Sequence, residues 1–404
     1  PALNLNFKSS RVVDPRIACA RTTTATYVDP VSGLIKTAPA NVTRVEKGGL
    51  LVEESRTNSE LNSATLGSWT RTQLTETTNN QIAPDGSTTA SLFTLTATNA
   101  AHYLEVTWQN INSQPVYSFF IKPITQKKFV FIDSENGGTR QARAAIDFDT
   151  GTITLAKGGN RNTPVVSYES LVNGWYRVKF STNSTAFQYH IAEIIAYSTL
   201  PANFTSDVFL NLSDFNFAGS GETFTVWGVQ REMVSGNADP PATSYIPTNG
   251  STAQRLRDQI DVGIDNWWND TEGTIVLEAD YSQTSNTMTL YSADLGSGIK
   301  HRLLQEGASI RYTMRNTGGS TVFNFSQTAS PEKTAFGYAT DNLRFAYDNA
   351  LSPLDTSGTP PTGILYFRIG RDNNNSNPLL AGHIKRLTFY STRASDTALQ
   401  SLTL

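Results

Sequence analysis

Apolar and polar residues alternate along most of this chain with the period of two that is typical of β-strands. In the stretch 175–180, the residues at even positions are predicted to face a core and those at odd positions, beginning with Trp175, to face outward. Residues 145–155 read as two short strands around the turn Thr150-Gly151, which predicts a hairpin. A further strand is predicted at 208–212. No amphipathic helix interrupts these strands, so an antiparallel sandwich or jelly roll is expected.

The second half of the chain repeats the alternation. Strands are predicted at 273–281, 288–295, 299–305, 309–314, 321–325, 334–338, 343–347, 364–369 and 382–390. The end of the chain has the pattern of a helix, in which Ser395 is the N-cap and Leu399 and Leu402 face inward. No short-period repeat is present, which excludes solenoids and propellers.

Residues 1–59 differ from the rest because turn formers separate short extended pieces at 3–7, 25–28 and 50–53. This segment is too short and polar to hold a core of its own, so we expect it to dock against the following module or another chain. The sequence therefore predicts an all-β protein of three parts, with boundaries at 1–59, 60–248 and 249–404.

Composition narrows the function classes. Hydrophobic residues make up 38% of the 404 residues, enough for real cores, while charged residues make up only 17%. The net charge of −3 gives no electrostatic reason to expect a nucleic-acid partner. The single cysteine rules out an intrachain disulfide. We expect no membrane insertion, because no apolar run approaches about 18 residues.

Four pieces of the chain resemble bacteriophage virion proteins. The runs that begin Ala20-Arg-Thr-Thr-Thr, Ala38-Pro-Ala-Asn-Val-Thr-Arg and Gly49-Leu-Leu-Val-Glu-Glu-Ser-Arg-Thr-Asn resemble the opening module of many phage fibre and structural proteins. Gly174-Trp-Tyr-Arg-Val and Trp227-Gly-Val-Gln are similar to a carbohydrate-binding-module-like jelly roll. Glu272-Gly-Thr-Ile-Val-Leu-Glu resembles the start of a laminin-G-like, concanavalin A-like sandwich. The seam from 226 to 255 resembles the joint between two such modules in tail-fibre and head-fibre proteins.

The resemblance implies a docking segment at 1–59, a jelly roll at 60–248 and a concanavalin A-like domain at 249–404. It also implies a virion appendage subunit, made in the host cytoplasm and located in the virion as a tail fibre, spike or capsid fibre. The expected partners are other virion proteins, further copies of the chain (a trimer by analogy with phage fibres) and a host cell-surface glycan. A decoration protein that binds no glycan is the first alternative, and a polysaccharide depolymerase is the second.

The depolymerase alternative depends on Glu278 and Asp280. Residues two apart on a strand share a face, and retaining glycosidases need two carboxyls about 5–5.5 Å apart. Jelly-roll endoglucanases of this type complete a Glu-x-Asp-x-x-Glu pattern, but here the last position is Gln283. The sequence shows no nucleophile elbow, zinc-protease motif or phosphate-cradling loop. We therefore expect no enzyme activity and no cofactor.

Glycan-binding candidates come from aromatic and amide side chains. Trp175 is a candidate because an outward-facing ring can stack on a sugar, although the N-terminal segment or a subunit neighbour could equally cover it. Trp267-Trp268 precedes the Glu-Gly-Thr motif, so the resemblance implies that at least one of these rings is core. Arg371, Asp372 and Asn374 begin a loop rich in side-chain oxygens and amides, which is the place we expect a glycan or a calcium ion to bind. A plain hairpin tip is the alternative for that loop.

Overall fold

The computed structural model describes residues 1–10, 12–111, 114–135, 141–159, 161–182, 187–234, 241–281, 287–296, 298–374 and 381–404. These residues form an all-β fold, as predicted. Up to residue 111 the strands are β1 (Leu3–Asn6), β2 (Ile17–Ala20), β3 (Ala25–Val28), β4 (Ile35–Ala38), β5 (Arg44–Glu46), β6 (Gly49–Glu53), β7 (Arg56–Asn58), β8 (Thr70–Thr72), β9 (Leu74–Gln81), β10 (Ala90–Leu95), β11 (Asn99–Ala100) and β12 (His102–Ile111). From residue 114 to 234 they are β13 (Gln114–Pro123), β14 (Lys128–Glu135), β15 (Gln141–Asp147), β16 (Thr152–Gly158), β17 (Val165–Ser170), β18 (Tyr176–Ser181), β19 (Phe187–Ala196), β20 (Phe217–Ala218) and β21 (Thr223–Val234).

The remaining elements follow the same alternation. They are β22 (Ala253–Arg255), β23 (Gln259–Gly263), β24 (Gly273–Tyr281), β25 (Thr287–Asp294), β26 (Ile299–Glu306), β27 (Ser309–Arg315), β28 (Thr321–Thr328), β29 (Lys333–Ala339), β30 (Asn342–Tyr347), β31 (Ala350–Leu351), β32 (Tyr366–Ile369), β33 (Ala381–Tyr390) and the helix α1 (Asp396–Ser401). Two short 3₁₀ turns lie at Val172–Gly174 and Leu212–Phe215. No helix among the described residues is long and apolar enough to cross a membrane.

The chain divides into two compact units, each discontinuous in sequence. Unit 1 contains Pro1–Val31, Thr37–Ser55 and Arg255–Leu404, and unit 2 contains Ser32–Lys36 and Arg56–Gln254. The predicted boundary near 248 lies close to the observed one. The predicted first part, 1–59, is not a separate segment in the structure, because most of it belongs to the same unit as the C-terminal residues.

Unit 1 is a sandwich of two antiparallel sheets. Sheet I has the order β31-β30-β29-β24-β33-β6-β5, with β1 also paired to β33. Sheet II has the order β2-β23-β32-β25-β26-β27-β28. Their inward-facing side chains form one core, in which Phe336, Phe345, Tyr312 and Ile369 are fully buried. This is the concanavalin A-like arrangement expected for the C-terminal module.

The N-terminal segment completes the core of unit 1. Strand β1 pairs with β33 over Leu3↔Phe389 to Asn6↔Arg386, and β6 pairs with the same strand further along. Leu3, Leu5 and Phe7 are at most 4% exposed within this core. The expectation that the segment docks against the following module holds only for residues 32–36 and 56–59, which belong to unit 2. The apolar side chains of β1 and β6 find their partners in residues 255–404.

Unit 2 is a second antiparallel sandwich. Sheet III has the order β17-β18-β13-β21-β10-β9, with β7 beside β21, and sheet IV has the order β16-β15-β14-β19-β12-β8. Between them lie Phe93, Phe129, Phe131 and Val178, all nearly inaccessible to solvent. The predicted hairpin is confirmed, because β15 and β16 pair up to Asp147↔Thr152.

The outer face of sheet IV carries a second apolar layer that the sequence did not predict. Phe204, Leu210 and Phe215, from the segment after β19, pack on Val130, Ile195 and their neighbours. Residues 208–212 are not a strand, contrary to the prediction. The Gln141 side chain instead accepts from the Leu210 amide at 3.2 Å and donates to its carbonyl at 3.1 Å, replacing the bonds of a sheet partner.

The C-terminal helix of unit 1 has the predicted cap. The Ser395 hydroxyl accepts a hydrogen bond from the Ala398 amide at 3.2 Å. Leu399 is fully buried on the outer face of sheet I, against Val276 and Ala335, and Leu402 packs beside it. The helix thus covers part of a sheet that would otherwise expose apolar side chains.

Candidate functional site

The candidate site lies on the outer face of sheet II and is built by strand alternation. Ile260 and Val262 on β23 point into the core, so Asp261 between them points outward. Phe367 and Ile369 likewise turn Arg368 outward on β32. Across six strands, the backbone register places these outward residues side by side in what we call the outer row: Asp261, Arg368, Ser292, Arg302, Thr313 and Asn324.

The first two residues of the predicted glycan loop join this outer row. The Arg371 guanidinium donates to Asp261 Oδ1 at 2.5 Å, and the Ser292 hydroxyl donates to the Arg371 carbonyl at 3.0 Å. Asp372 Oδ2 lies 3.7 Å from Arg302 Nη1. Arg371 and Asp372 are only 5% and 1% exposed. They therefore contact the side chains of the outer row and present little surface to solvent. The prediction of a ligand at this loop stays a prediction.

The rest of that loop is more open. Asn374 is exposed, at a turn that immediately follows the buried pair. Ser376, the third residue of the predicted calcium pattern, lies outside the described residues. Among the residues that the structure describes, no group of three or more His, Cys, Asp and Glu side chains could hold a metal ion.

Carboxylates neutralise one end of the outer row. Arg368 Nε donates to Asp294 Oδ2 at 2.7 Å, and Asp294 is fully buried. Burial alone would lower the pKa of Arg368, but the hydrogen bond to Asp294 and the charges of Asp294 and Asp261 raise it overall. The Arg368 guanidinium also lies 4.6 Å from the centre of the Tyr366 ring, which is 42% exposed. This end of the row is a closed ion-pair network.

The other end of the row is basic. Arg302 on β26 lies opposite Thr313 on β27, and Arg311 and Arg315 flank Thr313 two residues away on the same face. We call these three arginines the basic triangle. Burial lowers the pKa of Arg302; the nearby Asp372 raises it, and the charges of Arg311 and Arg315 lower it further. Sequence reasoning missed this feature, although Arg311 within the predicted strand 309–314 and Arg315 directly after that strand, four positions apart and therefore on one face, were a signal for it.

Trp175 does not lie at a surface site. Its side chain is 1% exposed, and its indole Nε1 donates to the Ile82 carbonyl at 3.1 Å. The ring packs with Ile35, Ala83 and Phe120 on the outer face of sheet III. The alternation correctly predicted that Trp175 faces away from the main core, but the ring is not exposed. A second apolar layer that includes Ile35 of the N-terminal segment covers it, which is one of the two alternatives that the sequence left open.

One ring of the aromatic pair before β24, that of Trp267, is core, as the resemblance implied. Trp267 is 4% exposed, packs edge-on to Phe389 at 5.3 Å between ring centres, and donates from Nε1 to the Gly263 carbonyl. Trp268 stacks on Phe389 with 4.9 Å between ring centres and is partly buried. The Trp267 ring is not available as a sugar platform.

The two carboxylates of the depolymerase alternative lie on the outer face of sheet I. Glu278 is partly buried and Asp280 is exposed, at the edge of a bulge in the β24–β33 pairing. Lys8 Nζ lies 3.3 Å from Glu278 Oε1. Gln283 lies outside the described residues. The arrangement is that of a solvent-facing strand with a surface ion pair.

A buried polar cluster inside unit 2 was not predicted. Asp133 follows Phe129 and Phe131 at an inward-facing position of β14 and is fully buried. Its carboxylate contacts Arg161 Nη2, lies 2.9 Å from His190 Nδ1, and accepts from the Tyr117 hydroxyl at 3.3 Å. Burial raises the pKa of Asp133, but the charges of Arg161 and His190 lower it overall. The sequence signal for this cluster was an acidic residue at a strand position where the alternation predicts an inward-facing apolar side chain.

Two glutamates face each other on the outer face of sheet IV. Glu105 on β12 lies directly opposite Glu193 on β19. Glu193 is only 8% exposed, and burial, the Glu105 charge and the Asp133 charge raise its pKa to about 8. Burial also raises the pKa of Glu105. A carboxyl with this pKa is mostly protonated at neutral pH.

The motifs that carry the phage resemblance form a buried ion-pair network in unit 1. Arg21 and Arg44 donate to the two oxygens of Asp258 at 2.6 and 2.5 Å. Arg44 also lies 2.8 Å from Glu53, which is 3.5 Å from Arg255. All five side chains are at most 2% exposed. The N-terminal motifs and the residues after the seam therefore serve the structure of one unit.

The seam motif has a similar role in unit 2. Gln230 accepts from the Ile246 amide at 2.6 Å and donates to Glu232 at 2.7 Å. The Asn58 amide donates to the Ile246 carbonyl at 2.8 Å. Tyr245 packs on Trp227 with 4.8 Å between ring centres. These contacts hold Tyr245 and Ile246 of the connector on the outer face of sheet III.

Comparison with other proteins gives distant structural likenesses. No family model and no curated protein sequence matches this chain. A Ruminococcus gnavus sialidase module, CBM40 bound to α2,3-sialyllactose, is 18% identical, with a TM-score of 0.29 over 34% of this chain and 84% of its own. Mouse laminin α1 domains LG4–5 are 8% identical, with a TM-score of 0.25 over 74% and 89%. Trypanosoma rangeli sialidase with sialic acid is 11% identical, with a TM-score of 0.29 over 78% and 60%.

Proposed function

We propose that this chain is a non-enzymatic subunit of a bacteriophage virion appendage, a tail fibre, spike or capsid fibre, whose β-sandwiches present a surface to host glycans. One observation carries the proposal. The motif residues that resemble phage fibre modules, Arg21, Arg44 and Glu53, converge with Arg255 and Asp258 in one buried network, although more than 200 positions separate them in sequence. The resemblance therefore extends over one coherent structural unit.

The surface chemistry supports adhesion. The outer row of sheet II places arginine, threonine and asparagine side chains (Arg302, Thr313 and Asn324) side by side on the outer face of the sheet. Such side chains match the hydroxyl and acidic groups of glycans. A single site of this kind binds weakly, and several copies on one virion raise the avidity by about 10²–10⁴. The number of copies, three by analogy with phage fibres, is part of the proposal.

The depolymerase alternative has less support. Its two carboxylates lie on an open strand face, and Glu278 is held by Lys8. Catalytic carboxyls act in sites that exclude water and perturb their pKa.

The decoration alternative predicts the same fold with no affinity for glycans, so only a binding experiment separates it from adhesion.

The full-length chain is required for that experiment, because residues 255–404 alone would lack β1, β2, β5 and β6 of unit 1. A glycan array and a host-cell pull-down with the whole chain should show binding. Antibody labelling of virions should place the chain on an appendage. Absence of binding at high protein concentration would favour decoration. If the chain shortens host polysaccharide and the Glu278→Gln variant does not, the non-enzymatic proposal would be overturned.

A further inference from the structure

We infer that the basic triangle of sheet II, with Thr313 and Asn324 beside it, binds the carboxylate groups of an acidic polysaccharide. This inference rests on the adhesion function proposed above and names the class of glycan. The argument depends on the placement of Arg302, Arg311 and Arg315 and on the hydrogen bonds that they lack.

Strand register and alternation place the three arginines on one face of sheet II, around Thr313. Arg302 lies directly across from Thr313, and Arg311 and Arg315 lie on either side of Thr313 on the same face. Diagonal neighbours of this kind are about 7–8 Å apart at their Cα atoms, within reach of long side chains. Asn324 on β28 lies on the far side of Thr313. Three cations and two small polar side chains thus share one patch.

The arginines of the triangle are incompletely neutralised. Arg302 has a carboxylate at 3.7 Å, which is too long for a hydrogen bond. Arg311 lies 2.9 Å from Glu306, but its Nε is buried without a hydrogen-bond partner in the described part of the chain. Arg315 is exposed, and no described residue forms an ion pair with it. Arg368, on another strand of the sheet, contrasts with them because its guanidinium donates two hydrogen bonds to the Asp294 carboxylate.

An anion bound on this patch would reduce the repulsion among the three arginines and would accept hydrogen bonds from their unused donors. The charges of Arg311 and Arg315 already lower the pKa of Arg302, so the three cations repel one another across a partly desolvated surface. A carboxylate accepts paired hydrogen bonds from the planar guanidinium fork. Its negative charge also screens the repulsion.

The neighbouring side chains favour a polysaccharide as the carrier of that carboxylate. The Thr313 hydroxyl donates to Asn324 Oδ1 at 3.2 Å. The Asn324 amide N–H groups can therefore donate to a ligand, for example to sugar hydroxyls. Single-stranded nucleic acids bind by stacking bases on aromatic rings. The aromatic residue of β27, Tyr312, is instead buried in the core, and the chain carries a net charge of −3.

The test is a binding measurement with the full-length chain and four probes: alginate, neutral dextran, dextran sulfate and duplex DNA. Alginate, a polyuronate, should bind more tightly than neutral dextran, and added salt should weaken the binding. Arg302→Gln and Arg315→Gln should each reduce alginate affinity about tenfold, since each removes a charge-assisted contact. Arg315 is exposed, so its variant tests the patch with little risk to folding. Arg386→Gln, which removes the same charge from sheet I, should bind like the parent.

The outcomes separate the inference from the proposed function. Equal alginate affinity of the parent, Arg302→Gln and Arg315→Gln would overturn the inference. If host cells still bind in that case, adhesion stands and uses another surface. Tighter binding to DNA than to alginate would overturn the polysaccharide assignment. Tighter binding to dextran sulfate with the same arginine dependence would overturn the carboxylate assignment and replace it with sulfate.

Discussion

The buried carboxyl of Glu193 should make unit 2 less stable as the pH rises from 5 to 8. Glu193 faces Glu105 on β12 and Ile132 on β14, with Arg143 one strand further along the same outer face. Burial is the main reason that its pKa rises from 4.5 to about 8, and the charges of Glu105 and Asp133 add to it. Folding therefore favours the protonated acid.

The sign and size follow from proton linkage. Between pH 4.5 and 8, folded Glu193 keeps its proton while the unfolded chain has lost it, so the folded state binds more protons and stability falls as pH rises. Each pH unit in this window costs about 1.4 kcal/mol, and the full window costs about 5 kcal/mol. Between pH 5.5 and 7.5, the free energy of unfolding should fall by about 3 kcal/mol because of this one group.

Urea unfolding of the parent and of Glu193→Gln at pH 5.5, 6.5 and 7.5 measures this effect. Glutamine resembles the protonated acid, so the variant should lose most of the slope and be more stable than the parent at pH 7.5. Glu105→Gln should shorten the window, because it removes a neighbouring charge. Glu169→Gln, at a more exposed position of unit 2, is the control and should keep the parental slope. A Glu193→Gln variant with the parental pH dependence would refute the reasoning.

Four further predictions concern packing and strain. Asp258→Asn should destabilise unit 1 by about 3–5 kcal/mol in urea unfolding, because it removes the negative charge that pairs with the buried Arg21 and Arg44. Trp175→Ala should cost unit 2 about 3–5 kcal/mol, and unchanged stability would contradict its burial. Gly228→Ala should lower the melting temperature, since φ is +64° and a Cβ would lie 2.7 Å from Phe120. Deleting residues 1–7 should unfold unit 1, visible as loss of its tryptophan signal, instead of leaving two intact sandwiches.

Much of the fold could be predicted because the positions of its strands and of its helix depend on the pattern of neighbouring residues. The strand predicted at 273–281 is β24, and the predicted cap Ser395 begins α1. Both depend on a few neighbouring residues: a period of two for a strand, and a hydroxyl before an apolar turn for a helix start. The inward burial of Val178 and Phe180 followed from the same alternation.

The candidate site was only partly predictable for the same reason. The loop residues Arg371 and Asp372 were singled out by their local composition, and the structure places them on the outer row. The basic triangle depends on the register that sets Arg302 opposite Thr313, and no local pattern encodes that register. The burial of Trp175 depends on a second layer that reaches it from distant positions.

The sequence by itself determined that this protein is built from antiparallel strands, where most of them run and which side chains face a core. Only the tertiary structure decided which strands pair, and it joined β1 to β33 across nearly the whole chain. The physical reason is that alternation is a property of adjacent residues, whereas pairing depends on which apolar face is still uncovered. The entropy of closing a loop grows only slowly with its length, so distance along the chain does little to prevent such a pairing.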